Sequence, residues 1–308
     1  MKISVVGAGN VGAVTVYFIA EKNLGDIVMV DVVEGLARGK ALDFLHAAPL
    51  RNYKVKIRGT TDFSEIEGSD VVVITAGIAR KPGMSRMDLL KTNVGIARGA
   101  ARHIARLAPE AVVIVVTNPL DIIAMAVLRE TGFALKKVIG MAGVLDSTRF
   151  RSFIADRLGV WPGDVQAMVL GGHGDEMVPL PSYTTVEGIP IRQLLSESDI
   201  EELVKRTRTG GAEIVDLLKT GSAFYAPGAS VAKMVEAIIT DERRLLPASV
   251  YLRGEFGFRD IFLGVPVILG SHGVERIVEV PLMDMEKKAL SASADAVRAG
   301  LAELDGVA

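Results

Sequence analysis

A glycine pattern near the start of the chain constrains the fold more than any other feature of the sequence. Residues 2–6 have the composition of a strand, residues 13–22 that of a largely buried helix, and Gly7, Gly9 and Gly12 lie between them. In this setting Gly7 permits a sharp turn, Gly9 lets the backbone approach a pyrophosphate, and Gly12 allows close helix–strand packing. The amino terminus of the helix offers free N–H groups to phosphates. The pattern therefore predicts a dinucleotide-binding turn.

An acidic residue follows at the spacing that such a unit requires. A second strand is predicted at residues 26–30 and leads into Asp31, nineteen residues after Gly12. An acidic side chain at this place accepts hydrogen bonds from the adenosine ribose and repels a 2′-phosphate, so NAD is favoured over NADP. The alternative is that Asp31 only caps the helix that follows it.

Composition and charge exclude several classes of function. The chain has 308 residues, 49% of them apolar, which suffices for two domains or one large α/β unit. Its 35 basic and 37 acidic residues nearly balance, so we expect neither nucleic acid nor a membrane as a partner. Cysteine is absent, which excludes disulfides, thiolate metal sites and a cysteine nucleophile and suits a reducing cytoplasm. We expect no secretory leader, because Met1 is followed almost directly by the first strand.

Two continuous apolar runs, residues 71–76 and 111–116, are typical of strands buried on both faces of a parallel sheet. A predicted helix at residues 93–107 lies between them, and residues 138–142 resemble the last strand of the sheet. This alternation predicts an α/β fold with a Rossmann-type, doubly wound parallel sheet. Ligands of such sheets bind beyond the carboxyl ends of the strands.

The segments that follow the two apolar runs are therefore candidate ligand-binding segments. Residues 77–86 combine Arg80, Lys81 and Arg86 with two glycines and a proline. This composition fits either a solvated basic loop or a lid that closes over an anionic substrate. In the other segment Asn118 can offer a donor and an acceptor, although Asn-Pro is also a common turn.

A second group of candidate residues lies further along the chain. A predicted helix at residues 145–155 carries Asp146 and Arg149 on one face, because they are three residues apart. They either form a surface ion pair or orient a histidine and bind a carboxylate. His173 stands among glycines at the end of the apolar run 165–170 and can exchange a proton near neutral pH. The alternative is a histidine that only decorates a tight turn.

The remainder of the chain has mixed helix and strand patterns and no second glycine pattern. Short antiparallel strands are predicted around residues 186–191, and an amphipathic helix at 200–218 contains a Gly-Gly pair that indicates a kink or close packing. Further strands are predicted at 250–255 and 265–270, and a closing helix at 285–304. We therefore predict a dinucleotide-binding domain at residues 1–143 and a mixed α+β substrate domain at residues 144–308.

Taken together, these segments resemble the lactate/malate dehydrogenase family, and more narrowly its lactate-dehydrogenase-like malate dehydrogenases. The resemblance covers essentially the whole chain, and several motifs occur in the family's order. They are residues 7–12 (GAGNVG), 79–86 (ARKPGMSR), 117–119 (TNP), 146–149 (DSTR) and 172–175 (GHGD).

The resemblance implies a role for each candidate residue. His173 is the expected acid/base with Asp146 as its partner, Arg149 the carboxylate clamp, and Arg86 the lid arginine that polarises the reacting carbonyl. Asn118 is expected to hydrogen-bond the substrate oxygen, and the glycines around His173 to leave room for substrate and nicotinamide. The expected cofactor is NAD, and its expected contacts are Gly7, Gly9, Asn10, Val11, Gly12, Asp31, Thr75, Ala76, Gly77, Asn93, Val116 and Asn118.

Arg80 indicates the substrate. The corresponding loop of lactate dehydrogenases is similar but typically carries glutamine at the position of Arg80. An arginine at this position would pair with the second carboxylate of oxaloacetate. Ala223 stands where lactate dehydrogenases usually carry threonine, which also favours malate. The alternatives are a lactate or other 2-hydroxy-acid dehydrogenase, an NAD-dependent glycosidase, which generally uses a cysteine in a metal site, and a non-catalytic NAD-binding protein.

The resemblance also implies properties of the assembly and its setting. Family members of this type are commonly tetramers and sometimes dimers, so a homotetramer is expected. A place in the tricarboxylic acid cycle and a cytoplasmic location are expected on the same basis. No metal site is predicted.

Overall fold

The structure is a computed structural model that describes residues 1–78 and 86–306, with the side chain of Arg86 outside that description. Strands and helices alternate through the first half of the chain. In order they are β1 (Lys2–Val6), α1 (Asn10–Glu21), β2 (Asp26–Val30), α2 (Leu36–Arg51), β3 (Ile57–Thr60), β4 (Val71–Ile74), α3 (Arg86–Leu107), β5 (Val112–Val115), α4 (Leu120–Thr131) and β6 (Val138–Gly140).

The second half begins with a helix and then becomes irregular. Its elements are α5 (Gly143–Leu158), β7 (Val165–Gln166), β8 (Val169–Leu170), β9 (Val178–Pro179), β10 (Thr185–Val186), β11 (Ile189–Pro190), α6 (Glu197–Leu218), α7 (Tyr225–Ile239), β12 (Arg244–Arg253), β13 (Arg259–Gly270), β14 (Gly273–Ile277) and α8 (Asp284–Asp305). Single turns of 3₁₀ helix occur at Phe63–Ile66, Leu135–Lys137, Pro181–Tyr183, Ile191–Gln193 and Glu255–Gly257.

The parallel part of the main sheet has the strand order β3-β2-β1-β4-β5-β6. The order reverses between β1 and β4, and this reversal is where ligands bind in doubly wound sheets. Nearly every side chain of β1, β2, β4 and β5 is buried, which explains the unbroken apolar runs in the sequence. The predicted α/β fold with a Rossmann-type sheet is confirmed.

The sequence pattern predicts that the strand at residues 138–142 is the last of the sheet, but the sheet continues beyond β6. The hairpin of β12 and β13 and then β14 continue it with antiparallel strands, and Ser249 of β12 pairs with Gly140 of β6. A side chain at Gly140 would lie 2.4 Å from Leu120 and 2.9 Å from Ser249, so glycine allows this close approach. The boundary predicted near residue 143 falls at the start of α5, although the sheet runs through both halves.

Two apolar cores flank α5. The larger core surrounds the main sheet, whereas Phe150 and Ile154 of α5 belong to a smaller core with β7, β8 and the start of α6. The apolar run 165–170 forms two short strands, β7 and β8, and they belong to two separate small sheets. Packing on both sides fixes α5 in place, so the polar residues at its amino-terminal end are held rigidly beside the carboxyl edge of the sheet.

Candidate active site

The glycine turn after β1 leaves the amino terminus of α1 open. Gly9 is the N-cap residue of α1, and no side chain caps the helix there. A Cβ on Gly12 would lie 1.9 Å from the carbonyl oxygen of Gly7, and a Cβ on Gly7 would lie 2.6 Å from the backbone nitrogen of Ala76. A Cβ on Gly9 would meet nothing within 4 Å. Gly7 and Gly12 therefore serve the fold, whereas Gly9 faces the space outside the turn.

Asp31 supports this turn from the neighbouring strand. Its Oδ2 accepts a 2.6 Å hydrogen bond from the backbone N–H of Ala8, and its Oδ1 accepts one of 2.9 Å from Val33. Each carboxylate oxygen can accept a further bond, so a ribose hydroxyl can still bind there. Lys40, which sequence reasoning missed, donates to the carbonyl oxygens of Ala8 and Gly9 at 2.7 and 3.3 Å.

The segments after β4 and β5 are joined by one buried amide. Asn93 of α3 accepts from the backbone N–H of Ile78 at 2.8 Å and donates to the carbonyl oxygens of Ile78 and Asn118 at 3.2 and 2.8 Å. Thr75 donates to the carbonyl oxygen of Gly7 at 3.0 Å. A Cβ on Gly77 would lie 2.6 Å from Thr117. Most of the hydrogen-bonding capacity of Asn93 is thus used to hold the two strand ends together.

The histidine and the pair on α5 come together. Nδ1 of His173 lies 2.9 Å from Oδ2 of Asp146, and Oδ1 of Asp146 accepts a 3.2 Å hydrogen bond from Nη1 of Arg149. Asp146 is almost fully buried, and the side chains of His173 and Arg149 are only 11% and 13% exposed. Because an ionised carboxylate only accepts hydrogen bonds, this geometry assigns the Nδ1 proton to the His173–Asp146 bond. Nε2 has no hydrogen-bond partner among the described residues.

The pKa of His173 reflects two opposing effects. Burial disfavours the charged imidazolium and lowers the pKa, whereas the charge and hydrogen bond of Asp146 and the charge of Asp121 raise it. The net direction is upward from the ordinary histidine value, even though Arg149 acts against it. His173 is therefore suited to hold a proton near neutral pH and to release it to a bound ligand.

Arg149 has unused hydrogen-bonding capacity. Its Nε is buried and has no hydrogen-bond partner within the described residues. Its guanidinium lies along α6, where a Cβ on Gly211 would be 3.6 Å from Nη2 and one on Gly210 would be 3.7 Å from Cδ. A Cβ at either glycine would thus make only ordinary van der Waals contact, and α6 is continuous through the Gly-Gly pair. The N–H groups of the guanidinium that are not directed at Asp146 can donate to a planar carboxylate.

The glycines around His173 were expected to leave room for substrate and nicotinamide, and two of the three do not. A Cβ on Gly171 would lie 2.7 Å from Oγ of Ser293, and one on Gly172 would lie 2.9 Å from Val297. These two glycines therefore make room for α8 and not for a ligand. Gly174 has a φ of +144° and nothing within 4 Å of its Cβ position, so only this residue leaves open space beside the imidazole.

A cavity of about 450 Å³ joins these groups. It lies beside the amino terminus of α1, the end of β5 and the start of α5, and His173, Arg149 and Asn118 are on its wall. The cofactor candidates Val11 and Val116 and the substrate-side residue Ala223 also line it. Arg208 of α6, which sequence reasoning missed, lines it as well and donates from Nε to the carbonyl oxygen of Met177 at 3.0 Å.

Two predicted site residues cannot be placed by this geometry. Arg80 lies outside the described residues, and so does the side chain of Arg86, although Arg86 is the first residue of α3. The predicted helix at residues 93–107 thus begins seven residues earlier than expected. The lid role of these two arginines stays a prediction from the resemblance.

Two models of one family match the two halves of the chain. The model of the lactate/malate dehydrogenase NAD binding domain matches residues 1–140, and that of the lactate/malate dehydrogenase alpha/beta C-terminal domain matches residues 143–305. The chain belongs to the lactate/malate dehydrogenase family. Membership confirms the resemblance drawn from the motifs.

Relatives within the lactate/malate dehydrogenase family match over nearly the full length. The chain is 55% identical to a malate dehydrogenase of Methanosarcina mazei over 99% of both proteins. It is 56% identical to a malate dehydrogenase of Thermomicrobium roseum over 96% of both.

Solved structures of both kinds of enzyme in the family share this fold. Malate dehydrogenase from Picrophilus torridus in its apo form has a TM-score of 0.97 and 48% identity over 99% of this chain and 98% of its own. Lactate dehydrogenase from Cryptosporidium parvum, complexed with lactic acid and nicotinamide adenine dinucleotide, has a TM-score of 0.95 and 41% identity over 99% and 98%. The fold alone therefore does not distinguish the two substrates.

The residues of the turn fit the NAD that this family binds. The uncapped amino terminus of α1 and the open position at Gly9 can receive a pyrophosphate, and Asp31 stands at the adjacent strand end. Within residues 1–78 and 86–306, no cluster of histidine and acidic side chains is arranged to hold a metal ion. Every helix in that part of the chain is too short or too polar to cross a membrane.

Proposed function

We propose that this protein is an NAD-dependent malate dehydrogenase that interconverts malate and oxaloacetate. The observation that carries the proposal is the hydrogen bond between His173 and Asp146, on the wall of a cavity that Arg149 also lines. A proton donor with an orienting carboxylate and a carboxylate-binding cation are the groups that reduction of a 2-keto acid requires. The names of the two relatives of 55% and 56% identity support malate as the substrate.

The roles of the site residues follow from their chemistry. NADH, when bound, supplies hydride to the carbonyl carbon of oxaloacetate. Protonated His173 donates a hydrogen bond from Nε2 to the carbonyl oxygen, stabilises the charge that grows there, and transfers its proton to form the hydroxyl group. Asp146 keeps the Nδ1 proton in place and stabilises the imidazolium. Malate oxidation needs the same nitrogen unprotonated.

Substrate binding divides among several donors in this proposal. Arg149 binds the carboxylate next to the reacting carbon with its fork of donors, and Asn118 hydrogen-bonds the substrate oxygen. Arg86 polarises the carbonyl when the loop closes, and closure removes water from the site. Arg80 pairs with the second carboxylate. The last two roles rest on the resemblance alone.

Malate and lactate are the two substrates to be separated. Support for malate comes from Arg80 in the sequence, from Ala223 on the cavity wall, and from the names of the full-length relatives. The experiment is an initial-rate assay of NADH oxidation with oxaloacetate and with pyruvate. We expect kcat/KM to be higher for oxaloacetate by about 10² or more, since only oxaloacetate has a second carboxylate that can pair with Arg80. A preference for pyruvate would refute the assignment of malate.

The assembly and its setting complete the proposal. A homotetramer, a cytoplasmic location and a place in the tricarboxylic acid cycle are predictions from the family resemblance. Sedimentation equilibrium of the purified chain measures the mass of the assembly directly. A mass of one or two chains in that experiment would refute the predicted tetramer.

A further inference from the structure

Asp121 is a buried carboxylate that has no part in the function proposed above. It lies in the first turn of α4, at 5% exposure, within the buried run of residues 120–128. Within the described residues it forms no salt bridge with lysine or arginine. Burying a carboxylate without a cation is costly, and such groups persist where their charge or geometry is used.

The carboxylate of Asp121 joins three elements at the catalytic histidine. Its Oδ2 accepts a 2.8 Å hydrogen bond from the backbone N–H of His173, and its Oδ1 accepts one of 2.6 Å from Oγ of Ser249 on β12. Both bonds leave α4, where Asp121 could instead have bound the free N–H groups of its own helix. The carboxylate is thus directed at the turn that carries His173.

The two residues before His173 are held by hydrogen bonds to uncharged acceptors. Gly171 exchanges two backbone hydrogen bonds with Gly264 of β13, at 2.9 and 3.0 Å, and the N–H of Gly172 donates to Oγ of Ser293 on α8 at 2.8 Å. Three consecutive N–H groups are therefore bound by three different elements. Of the three acceptors, only that of His173 is a carboxylate, so the charge is placed at the residue whose protonation matters.

We infer that Asp121 is a positioning residue for His173, which fixes its backbone and stabilises its imidazolium with a second buried negative charge. The inference rests on the proposed role of His173 as acid/base. Asp146 acts on the ring at Nδ1, whereas Asp121 acts from the backbone side, so the two carboxylates do not compete for one proton.

The charge of Asp121 raises the pKa of His173, in the direction that the geometry predicts. Burial and the charge of Asp146 raise the pKa of Asp121 itself above the ordinary aspartate value, whereas its bonds to Ser249 and His173 lower it and favour the ionised form. Other charged groups contact His173 or line the same cavity and the adjoining pocket. They are Asp146, Arg149, Asp175, Glu176, Arg208 and Glu303. All of them remain in the variants below, so differences among the variants report Asp121.

The test compares Asp121→Asn with Ser293→Ala. Asp121→Asn keeps an oxygen for the N–H of His173 and removes the charge, whereas Ser293→Ala removes a neutral bond to the same turn. We expect Asp121→Asn to lower the pH at which oxaloacetate reduction is lost on the alkaline side by about 0.5–1 unit, a roughly 3- to 10-fold change in proton affinity. Ser293→Ala should leave that pH unchanged. Equal values for Asp121→Asn and the unmodified protein, or equal shifts in both variants, would overturn the inference.

Two further measurements keep the inference testable if Asp121→Asn does not fold or if the protein shows no activity with oxaloacetate. Ser249→Ala keeps the bond to His173 and weakens the stabilisation of the Asp121 charge, so it should shift the pH in the same direction by less. No difference between Ser249→Ala and Ser293→Ala would count against Asp121. NMR titration of His173, assigned among four histidines by comparison with His173→Gln, measures its pKa without activity. Failure of the proposed function therefore leaves this inference testable.

Discussion

His173 and Asp146 are 27 residues apart in the chain, yet Nδ1 of one lies 2.9 Å from Oδ2 of the other. The contact forms because a loop after β8 and the first turn of α5 meet at the carboxyl edge of the main sheet. Asp146 is held there by α5, which packs into both cores. The imidazole therefore has a fixed tautomer and a stabilised charge before any substrate binds.

Removing the Asp146 charge should impair the acid/base step. Asp146→Asn is expected to lower kcat for oxaloacetate reduction about 10²-fold or more, because the asparagine no longer stabilises the imidazolium. The pKa of His173 should fall, so reduction is lost at lower pH than in the unmodified protein, whereas malate oxidation begins at lower pH. Rate–pH profiles in both directions measure the shift. Asp156→Asn, on an exposed part of the same helix, is the control. A profile that does not move would contradict the role of Asp146.

Arg149 should contribute through the shape of its guanidinium as well as its charge. Arg149→Lys is expected to lower kcat/KM for oxaloacetate about 10²-fold or more, because lysine cannot bind a carboxylate with two parallel bonds. The dissociation constant of NADH should not change. Arg157→Lys alters an arginine at the other end of α5, which pairs with Asp199 and Glu202, and should have little effect. Similar losses in both variants would mean that Arg149 acts through the fold.

The two glycines at the start of α1 should respond differently to alanine. Gly9→Ala is expected to leave the melting temperature almost unchanged, because its Cβ meets nothing within 4 Å, and to raise the dissociation constant of NADH about tenfold or more. Gly12→Ala should destabilise the protein by about 1–3 kcal/mol, because its Cβ would lie 1.9 Å from a carbonyl oxygen. Thermal melts and NADH titration by fluorescence measure both quantities. An unchanged dissociation constant for NADH in Gly9→Ala would refute the assignment of Gly9 to phosphate binding.

Arg80 should decide which substrate is preferred. Arg80→Gln is expected to lower kcat/KM for oxaloacetate by about 10²-fold or more while changing that for pyruvate far less, because only oxaloacetate has a second carboxylate to pair with it. Both substrates are assayed with saturating NADH. Arg58→Gln, in an exposed ion pair with Glu65, controls for loss of a surface charge. Equal losses on both substrates would remove Arg80 from substrate selection.

Asp31 should exclude NADPH. Asp31→Ser is expected to raise the ratio of kcat/KM for NADPH to that for NADH about tenfold or more, because the charge that repels a 2′-phosphate is gone. The turn should loosen, since Asp31 also binds the N–H of Ala8. Asp26→Ser is the control, because Asp26 lies at the amino-terminal end of β2, away from the carboxyl ends of the strands where the cofactor is expected to bind. A ratio equal to that of the unmodified protein would argue against the ribose contact.

The nucleotide-binding half was largely predictable because its signals are local. The strand, glycine turn and helix at residues 2–22 are adjacent in sequence, and the buried runs at β4 and β5 are continuous. The family and the function inferred from the motifs agree with the family models and the full-length relatives. The extension of the sheet by β12–β14 was not predicted, because pairing between distant strands has no periodic signature in the sequence.

Residues that act through the backbone were missed for a related reason. Asp121 and Ser293 hold the turn at His173 by bonds across 52 and 121 residues of chain, and Ser249 binds Asp121 across 128 residues. The available signal was an acidic residue inside an apolar window, which is unusual because a buried charge needs partners. That signal predicts that Asp121 has hydrogen-bond partners but does not identify the residues that supply them.

Local sequence patterns were enough to predict the dinucleotide-binding turn, the buried parallel strands and the residue types expected for acid/base chemistry and carboxylate binding. Each follows from local composition and spacing, which set backbone freedom, burial and charge. Three contacts became visible only in the folded chain: His173 meets Asp146 at Nδ1, Gly171 and Gly172 make room for α8, and Asp121 binds the backbone of His173. These contacts join distant parts of the chain, and they arise because packing at the carboxyl edge of one sheet brings those parts within hydrogen-bond distance.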